Sequence, residues 1–283
     1  MQSAEATIRS ILPRASEYLA SKGVDTPRFD AELLLAHVLH CSRLDLYLEH
    51  DRTLAEVELE RFRKLVSRRG LREPAAYILG EWGFRRLTLR VDDRALVPRP
   101  ETEAVVERCL ARLEGVAAPL VLDVGTGSGA IALSIADEHP GAVVTAIDNS
   151  ATALELANEN LKRTELEHRV RLVHHDLASG LPTGPFHLVV SNPPYIGEDE
   201  IELVQPEVRD WEPRAALVDT GQTSTVVREA YGELSSGGWL VLEIAEARAD
   251  AVSDAMTARG YASVCVLADA AERERIVEGQ KPS

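Results

Sequence analysis

The spacing of apolar residues changes character part-way along the chain. Up to about residue 80 they recur at helical period. Thr26-Pro27 reads as a cap followed by proline at the first helical position, and Leu34, Leu35, Val38 and Leu39 follow at helical spacing. A second amphipathic stretch, Leu54 to Arg69, gathers Phe62, Leu65 and Val66 on one buried face and turns most of its basic residues elsewhere. Residues 1–80 are therefore expected to form a small helical domain. After Gly80-Glu81-Trp82-Gly83-Phe84 the period drops to two through Leu87-Thr88-Leu89-Arg90-Val91, which predicts a β-hairpin connector over residues 81–96.

From residue 97 onward helix and strand signals alternate. Glu101–Leu113 and Ile131–Ala136 predict helices, while Leu120–Val124, Val143–Ile147, Val170–Val173, Phe186–Val190 and Trp239–Ile244 predict strands rich in Val, Leu and Ile. Buried strands separated by helices predict an α/β fold, a mostly parallel Rossmann-like sheet spanning residues 97–283. Ala262–Leu267 and Arg273–Val277 have little between them and predict an antiparallel hairpin at the sheet edge. Such sheets bind ligands beyond the carboxyl ends of their strands, so the turns that follow strands are where chemistry belongs.

Composition narrows the class. A chain of 283 residues, 45% hydrophobic and 27% charged, can build one large or two modest cores. The first twenty residues interleave charges with apolar positions, so neither a signal peptide nor a membrane span is expected, and a cytoplasmic location follows. Cys41, Cys109 and Cys265 are far apart and read as buried reduced thiols. His174-His175 lacks a third ligand nearby and reads as an exposed strand end, so no metal site is expected.

The net charge of −15 is unevenly distributed: residues 1–96 carry 16 Lys and Arg against 15 Asp and Glu, and the remainder 15 against 31. An acidic C-terminal part repels a phosphate backbone, which argues against nucleic acid as the main ligand. The basic cluster Arg61, Arg63, Lys64, Arg68, Arg69 and Arg72 reads as a solvated helix face, with a partner-docking surface as the alternative.

Two motifs carry chemistry. Asp123-Val124-Gly125-Thr126-Gly127-Ser128-Gly129 falls where the first sheet strand ends and a helix begins, so its glycines let the backbone approach a ligand. The dinucleotide fingerprint G-x-G-x-x-G is not met, because Ala130 stands where its third glycine would fall. Asp148, at the end of the second strand, can bind two ribose hydroxyls, cap the helix before Ser150, or do both. Asp176 and the backbone N–H of Leu177 either reach an adenine edge or form a simple turn. Asn192-Pro193-Pro194-Tyr195, directly after the run Phe186 to Val190, offers an amide, a stiff backbone with a free carbonyl and a flat ring. Alone it fits a turn; combined with the glycine loop it fits a grip on a planar NH2 group.

Together DVGTGSG, Asp148 and NPPY resemble the class I S-adenosylmethionine-dependent methyltransferases that modify planar nitrogens. PAAYILGEWGF followed by LVPRPETE, ending at Glu103, looks more narrowly like the protein-glutamine N5-methyltransferases of the HemK or PrmC type, which act on peptide chain release factors. The resemblance implies S-adenosylmethionine as cofactor. Its contacts would come from Gly125, Thr126, Gly127, Ser128, Gly129, Asp148, Asp176, Leu177 and Asn192. It also implies that Asn192, Pro193, Pro194 and Tyr195 hold the glutamine, with Asn192, Pro193 and Tyr195 as the catalytic set and Tyr195 stacked on the amide. A release factor would be the partner, docked by the N-terminal helices, with no direct nucleic-acid contact and no membrane. Two departures stand out: Leu177 replaces a common aromatic residue, and Val218-Asp219-Thr220-Gly221-Gln222-Thr223 replaces a Gly-rich acidic turn. Arg99, Glu101 and Glu103 have open roles; the two acids suit a helix N-terminus, and the resemblance adds a place beside the cofactor. The rival readings are an N-methyltransferase acting on a nucleic-acid base or a ribosomal protein, and a non-catalytic cofactor-binding adaptor.

Overall fold

The computed structural model describes residues 6–269 and 271–283. They form two compact units, one of residues up to Gly80 together with Gln205–Trp211, the other of Glu81–Val204 and Glu212–Ser283.

In the first unit the helical period seen in the sequence becomes α1 (Ile8–Ser21), α2 (Pro27–Leu39), α3 (Arg43–Leu48), α4 (Glu56–Gly70) and α5 (Ala75–Leu79). Their apolar stripes meet in a core that includes Ile8, Leu19, Leu34, Leu35, Phe62 and Val66, with Leu65 only half-buried at its margin. The Thr26 hydroxyl that precedes α2 donates to Asp30 at 3.0 Å. Gly80 closes α5 at φ +76°, a left-handed conformation that costs glycine no Cβ clash.

The basic cluster does not form one solvated face. Arg61, Arg63 and Lys64 are exposed, whereas Arg69 is 6% exposed and donates to Asp30 at 2.6 Å and Glu207 at 2.7 Å. Arg72 shares the same Glu207, and Arg68 pairs with Glu73 at 2.8 Å through its Nε. A guanidinium enters the interior only where carboxylates compensate its lost hydration, and here they do. Burial alone would raise the Glu207 carboxyl, but hydrogen bonds from Arg72 and Arg69 outweigh it and hold the group below the ordinary carboxylate range. Glu207 lies 138 residues beyond Arg69, on the Gln205–Trp211 segment, so this network anchors that segment within the helical unit.

The second unit opens with β1 (Glu81–Phe84) and β2 (Leu87–Arg90), a two-stranded antiparallel hairpin whose Phe84 and Leu89 are buried in the core of this unit. There follow α6 (Pro100–Arg112), β3 (Leu120–Val124), α7 (Ala130–Glu138), β4 (Val143–Asp148), α8 (Ala151–Arg163), β5 (Val170–His174) and β6 (Phe186–Ser191). After α9 (Pro206–Trp211), which belongs to the helical unit, come α10 (Gln222–Glu233), β7 (Leu234–Glu243), α11 (Ala249–Arg259), β8 (Ala262–Ala268) and β9 (Glu274–Gln280). The sheet order is β5-β4-β3-β6-β7-β9-β8, with the first five strands parallel and β9 antiparallel to both neighbours.

Alternation along the strands serves both faces. Val121, Leu188 and Val190 join the core under α6 and α7, while Leu122, Val124 and Val189 join the core under α10 and α11. β7 begins at Leu234, earlier than its apolar run suggests, with a register shift opposite Phe186 and Leu188. Cys109 is buried, but Cys41 and Cys265 are half-buried, correcting the uniform burial expected of the three thiols. Cys41 follows the end of α2, and Cys265 lies on edge strand β8, where its thiol donates to Glu278 at 3.3 Å. His174 ends β5 and is exposed. Among the described residues no group of three or more His, Cys, Asp or Glu could hold a metal ion, and no helix is long and apolar enough to cross a membrane.

Candidate functional site

Successive strands run outward in one direction from β3 through β4 to β5, then restart on its other side with β6 and β7. Reversal of strand order leaves a crevice at the carboxyl ends of the two strands that flank it. A cleft of about 550 Å³ opens there. Its walls include Gly125–Ser128 after β3, Asp148 at the end of β4, Asp176 and Leu177 after β5, and Asn192–Pro194 after β6. The volume is that of a small-molecule or cofactor site.

The glycine loop is built by backbone bonds to the neighbouring strand. Gly125 and Thr126 both donate to the Ile147 carbonyl, at 2.9 and 3.0 Å, and Gly129 donates to Thr126 at 2.8 Å. Gly125 sits at φ +75°, and a Cβ added to it would meet no atom within 4 Å, so its bare face is turned to open space. Gly129 serves differently: it starts α7 at φ +85° with the Leu133 side chain 3.1 Å from where a Cβ would stand, so its small size permits close packing. Asp123, fully buried, holds the loop from beneath, accepting from the Thr126 hydroxyl at 2.6 Å and the Ala132 N–H at 3.2 Å. Burial pushes its carboxyl up to about 7, against the pull of those two donors. Asn160 of α8 adds an outer brace, donating to the carbonyls of Ser128 at 2.9 Å and Arg90 at 3.0 Å.

Asp148 ties the glycine loop to the turn before α8, and the cap of that helix is Ser150 rather than Asp148. One carboxylate oxygen accepts from Gly127 N–H at 2.9 Å, and the other from Ser150 N–H at 2.9 Å, while Ser150 itself caps α8. Each oxygen keeps a second lone pair, which suits a pair of adjacent hydroxyls in the cleft. Burial raises its pKa, and the backbone N–H groups of Ser150, Gly127 and Asn149 oppose the rise. Asp176 caps the turn after β5 by accepting from Ala178 N–H at 2.9 Å, and both it and Leu177 line the cleft.

Of the tetrapeptide after β6, Asn192, Pro193 and Pro194 line the cleft and Tyr195 does not. Tyr195 instead lines a smaller cavity of about 110 Å³ with Val227, Ile244 and Arg248. The chain just beyond it is fixed by a bridge, in which Ile196 donates to Leu217 at 3.0 Å and accepts from Asp219 at 2.9 Å. The hydroxyl of Tyr195 is pushed up by burial and by Glu243, and Arg275 and Arg99 oppose the rise. The ends of β3 and β6 are fastened by the Ser191 hydroxyl, which donates to the Val124 carbonyl at 2.7 Å.

The segment before α6 contributes more than its sequence disclosed. Ala95–Arg99 and Thr102 all line the cleft. Arg99 also donates to buried Glu212, whose carboxyl is raised by burial and pulled back by that arginine. Glu101 pairs with Arg273 at 3.0 Å, and Glu103 accepts from the Arg85 N–H at 3.1 Å, so both acids serve the helix and its neighbours. Thr102 accepts from the Asn192 side-chain nitrogen at 3.2 Å and donates to Glu243 at 2.7 Å. Glu243 was legible as a lone carboxylate inside the apolar run of β7, a signal that a buried partner exists. Burial drives its carboxyl up to about 7 in spite of the Thr102 bond.

A family model described as PrmC N-terminal domain matches residues 10–80, and one described as Methyltransferase small domain matches residues 105–236. A release factor glutamine methyltransferase of Rhodopirellula baltica is 39% identical over 286 residues, covering 97% of this chain and 96% of its own length. That of Chlorobaculum tepidum is 42% identical, covering 93% of each chain. The chain belongs to the release factor glutamine methyltransferase family.

Solved structures agree on the fold. A methyltransferase from Pyrococcus furiosus superposes with a TM-score of 0.50 at 20% identity, covering 69% of this chain and 89% of its own. A T. thermophilus 16S rRNA methyltransferase gives 0.52 at 18%, covering 71% and 49%. At such identities only the architecture is shared: the class I methyltransferase sheet. As a member of the release factor glutamine methyltransferase family, the chain keeps both of its sequence departures on the cleft wall. Leu177 lines it, and so do Thr220, Gly221 and Gln222, where Asp219 accepts from Gly221 N–H at 2.8 Å to shape the turn into α10.

Proposed function

We propose that this protein transfers a methyl group from S-adenosylmethionine to the side-chain nitrogen, N5, of a glutamine in a peptide chain release factor. The observation that carries this reading is that the glycine loop and the Asn192 amide line one cleft of about 550 Å³, in a chain of this family. The donor set fits the cofactor. The open face of Gly125 admits a close approach, Asp148 has lone pairs free for the two ribose hydroxyls, and Asp176 with Leu177 borders the space for an adenine. When bound, S-adenosylmethionine supplies an electrophilic methyl group on a sulfonium sulfur.

The work of the chain lies in presenting the nucleophile. An amide nitrogen attacks poorly because its lone pair is delocalised into the carbonyl. Asn192 Oδ1 and the Pro193 carbonyl would each accept one N–H, fixing the nitrogen in attack geometry and favouring the positive charge it develops. Positioning of this kind is worth on the order of 7 to 11 kcal/mol where the geometry is good. The bonded nitrogen becomes acidic and releases its proton afterwards, so no histidine or paired carboxylate is required. Pro193 and Pro194 keep this part of the wall stiff and apolar. The helical unit is the part we assign to docking the release factor.

Mass spectrometry of a tryptic digest of a release factor, after incubation with enzyme and cofactor, tests the reading: a 14-Da increment on one glutamine is expected. Label from the cofactor appearing only in a nucleic-acid fraction would overturn it. Asn192→Ala should lower kcat at least about 100-fold with cofactor affinity retained by calorimetry. Loss of that affinity would instead make Asn192 a structural residue.

A further inference from the structure

The side-chain amide of Asn192 can stand in two orientations that differ only by exchange of oxygen and nitrogen, and only one of them presents an acceptor to a substrate N–H. What decides between them lies behind the cleft. The Thr102 hydroxyl is 2.7 Å from Glu243 Oε2 and 3.2 Å from the Asn192 side-chain nitrogen. Thr102 and Glu243 are 4% and 2% exposed, so water does not compete for these bonds. A hydroxyl has one proton and two lone pairs, and an ionised carboxylate only accepts. With Glu243 ionised, the Thr102 proton must therefore point to Glu243, leaving a lone pair for Asn192, which meets it with its NH2. The Asn192 oxygen is thereby the end left for the cleft.

We infer that Thr102 and Glu243 are positioning residues for methyl transfer: a hydroxyl and a buried carboxylate that lock the Asn192 amide with its oxygen toward the acceptor nitrogen. The inference rests on the acceptor reading given above. It also explains an otherwise costly arrangement, a buried carboxylate at the end of β7 whose hydrogen-bond partner is a neutral hydroxyl. The charged and titratable groups that act on Glu243 are Arg99 and Glu101 at the start of α6, Arg275 on β9, and Tyr195 after β6. The two arginines are engaged elsewhere, Arg99 with Glu212 and Arg275 with Asp269 at 3.7 Å. A protonated Glu243 can donate to Thr102. That frees the hydroxyl proton for Asn192 and reverses the amide.

The test is steady-state methylation of intact release factor by the full-length enzyme at saturating S-adenosylmethionine. Thr102→Val keeps the shape and removes the hydroxyl. It should lower kcat by about 10- to 100-fold with KM for the release factor and calorimetric cofactor affinity within about twofold of wild type. Thr102→Ser should restore most of the rate. In the wild type kcat should rise through one ionisation near pH 7, and in Glu243→Gln that ionisation should be gone. A wild-type kcat in Thr102→Val, a Thr102→Ser variant as slow as Thr102→Val, or an unchanged pH profile in Glu243→Gln overturns the inference alone. A wild-type enzyme that methylates no release-factor glutamine removes the acceptor reading and the inference with it.

Discussion

Arg69 in the helical unit and Glu243 in the sheet unit are similarly hidden from water, at 6% and 2% exposure, yet their surroundings are opposite. Arg69 meets two carboxylates, Asp30 and Glu207, so its charge is compensated within hydrogen-bonding distance. Glu243 meets a hydroxyl, and Asp123 meets a hydroxyl and a backbone N–H; neither is neutralised, and burial pushes both up to about 7. The paired set does structural work, tying a distant segment into a helical core. The uncompensated carboxylates weaken the fold near neutral pH and lie directly behind the glycine loop and Asn192, where their lone pairs orient the groups that face the cleft. In this pair of regions the matched buried charge holds architecture and the unmatched carboxylates lie at the site.

The sharpest way to break this contrast is to remove the shared cation. Arg69→Met leaves Asp30 buried without its cation and Glu207 with Arg72 alone, and should cost about 3 to 5 kcal/mol, read as a lower denaturant midpoint. A loss under about 1 kcal/mol would mean that the network is dispensable. The opposite sign is expected across the sheet. A carboxyl whose folded pKa is raised contributes stability below its unfolded pKa, near 4.5 for Glu243, and loses that contribution as pH rises through the folded value of about 7. Glu243→Gln should therefore shrink the fall in stability between pH 5 and pH 8 by about 1 to 3 kcal/mol. An unchanged fall would place the charge of Glu243 in contact with water. Neutralising Arg61, Arg63 and Lys64 together by glutamine should shift stability by no more than about 0.5 kcal/mol, since these members of the basic cluster are exposed. A larger shift would show that the cluster acts as one body.

Local periodicity made the sheet readable. Each predicted strand from Leu120–Val124 to Arg273–Val277 overlaps an observed one, and the antiparallel edge pair is present as β8 and β9. The glycine loop, Asp148 and Asn192 stand at one cleft because parallel strands deliver the residues that follow them to the same edge. What stayed hidden depends on partners far along the chain. Arg69 looks like its neighbours until Glu207, 138 positions later, is brought against it, and Thr102 acquires meaning only from Glu243, 141 positions away. The place of Tyr195, in the smaller cavity beside Val227 and Ile244, was hidden for the same reason, since those residues lie 32 and 49 positions further on. Glu243 alone left a trace, as a charge set among Leu240, Val241, Leu242 and Ile244.

Gln205–Trp211 is coded in the middle of the catalytic portion but packs as part of the helical unit, so the chain passes between the two units three times rather than once. A gene fusion or recombination event that exchanged only the first 80 codons would carry away Arg69 and Arg72 and strand Glu207 without them. The two stretches must therefore be inherited as a matched pair, and any chimera built from relatives needs two grafts, with the arginines and the glutamate drawn from the same parent.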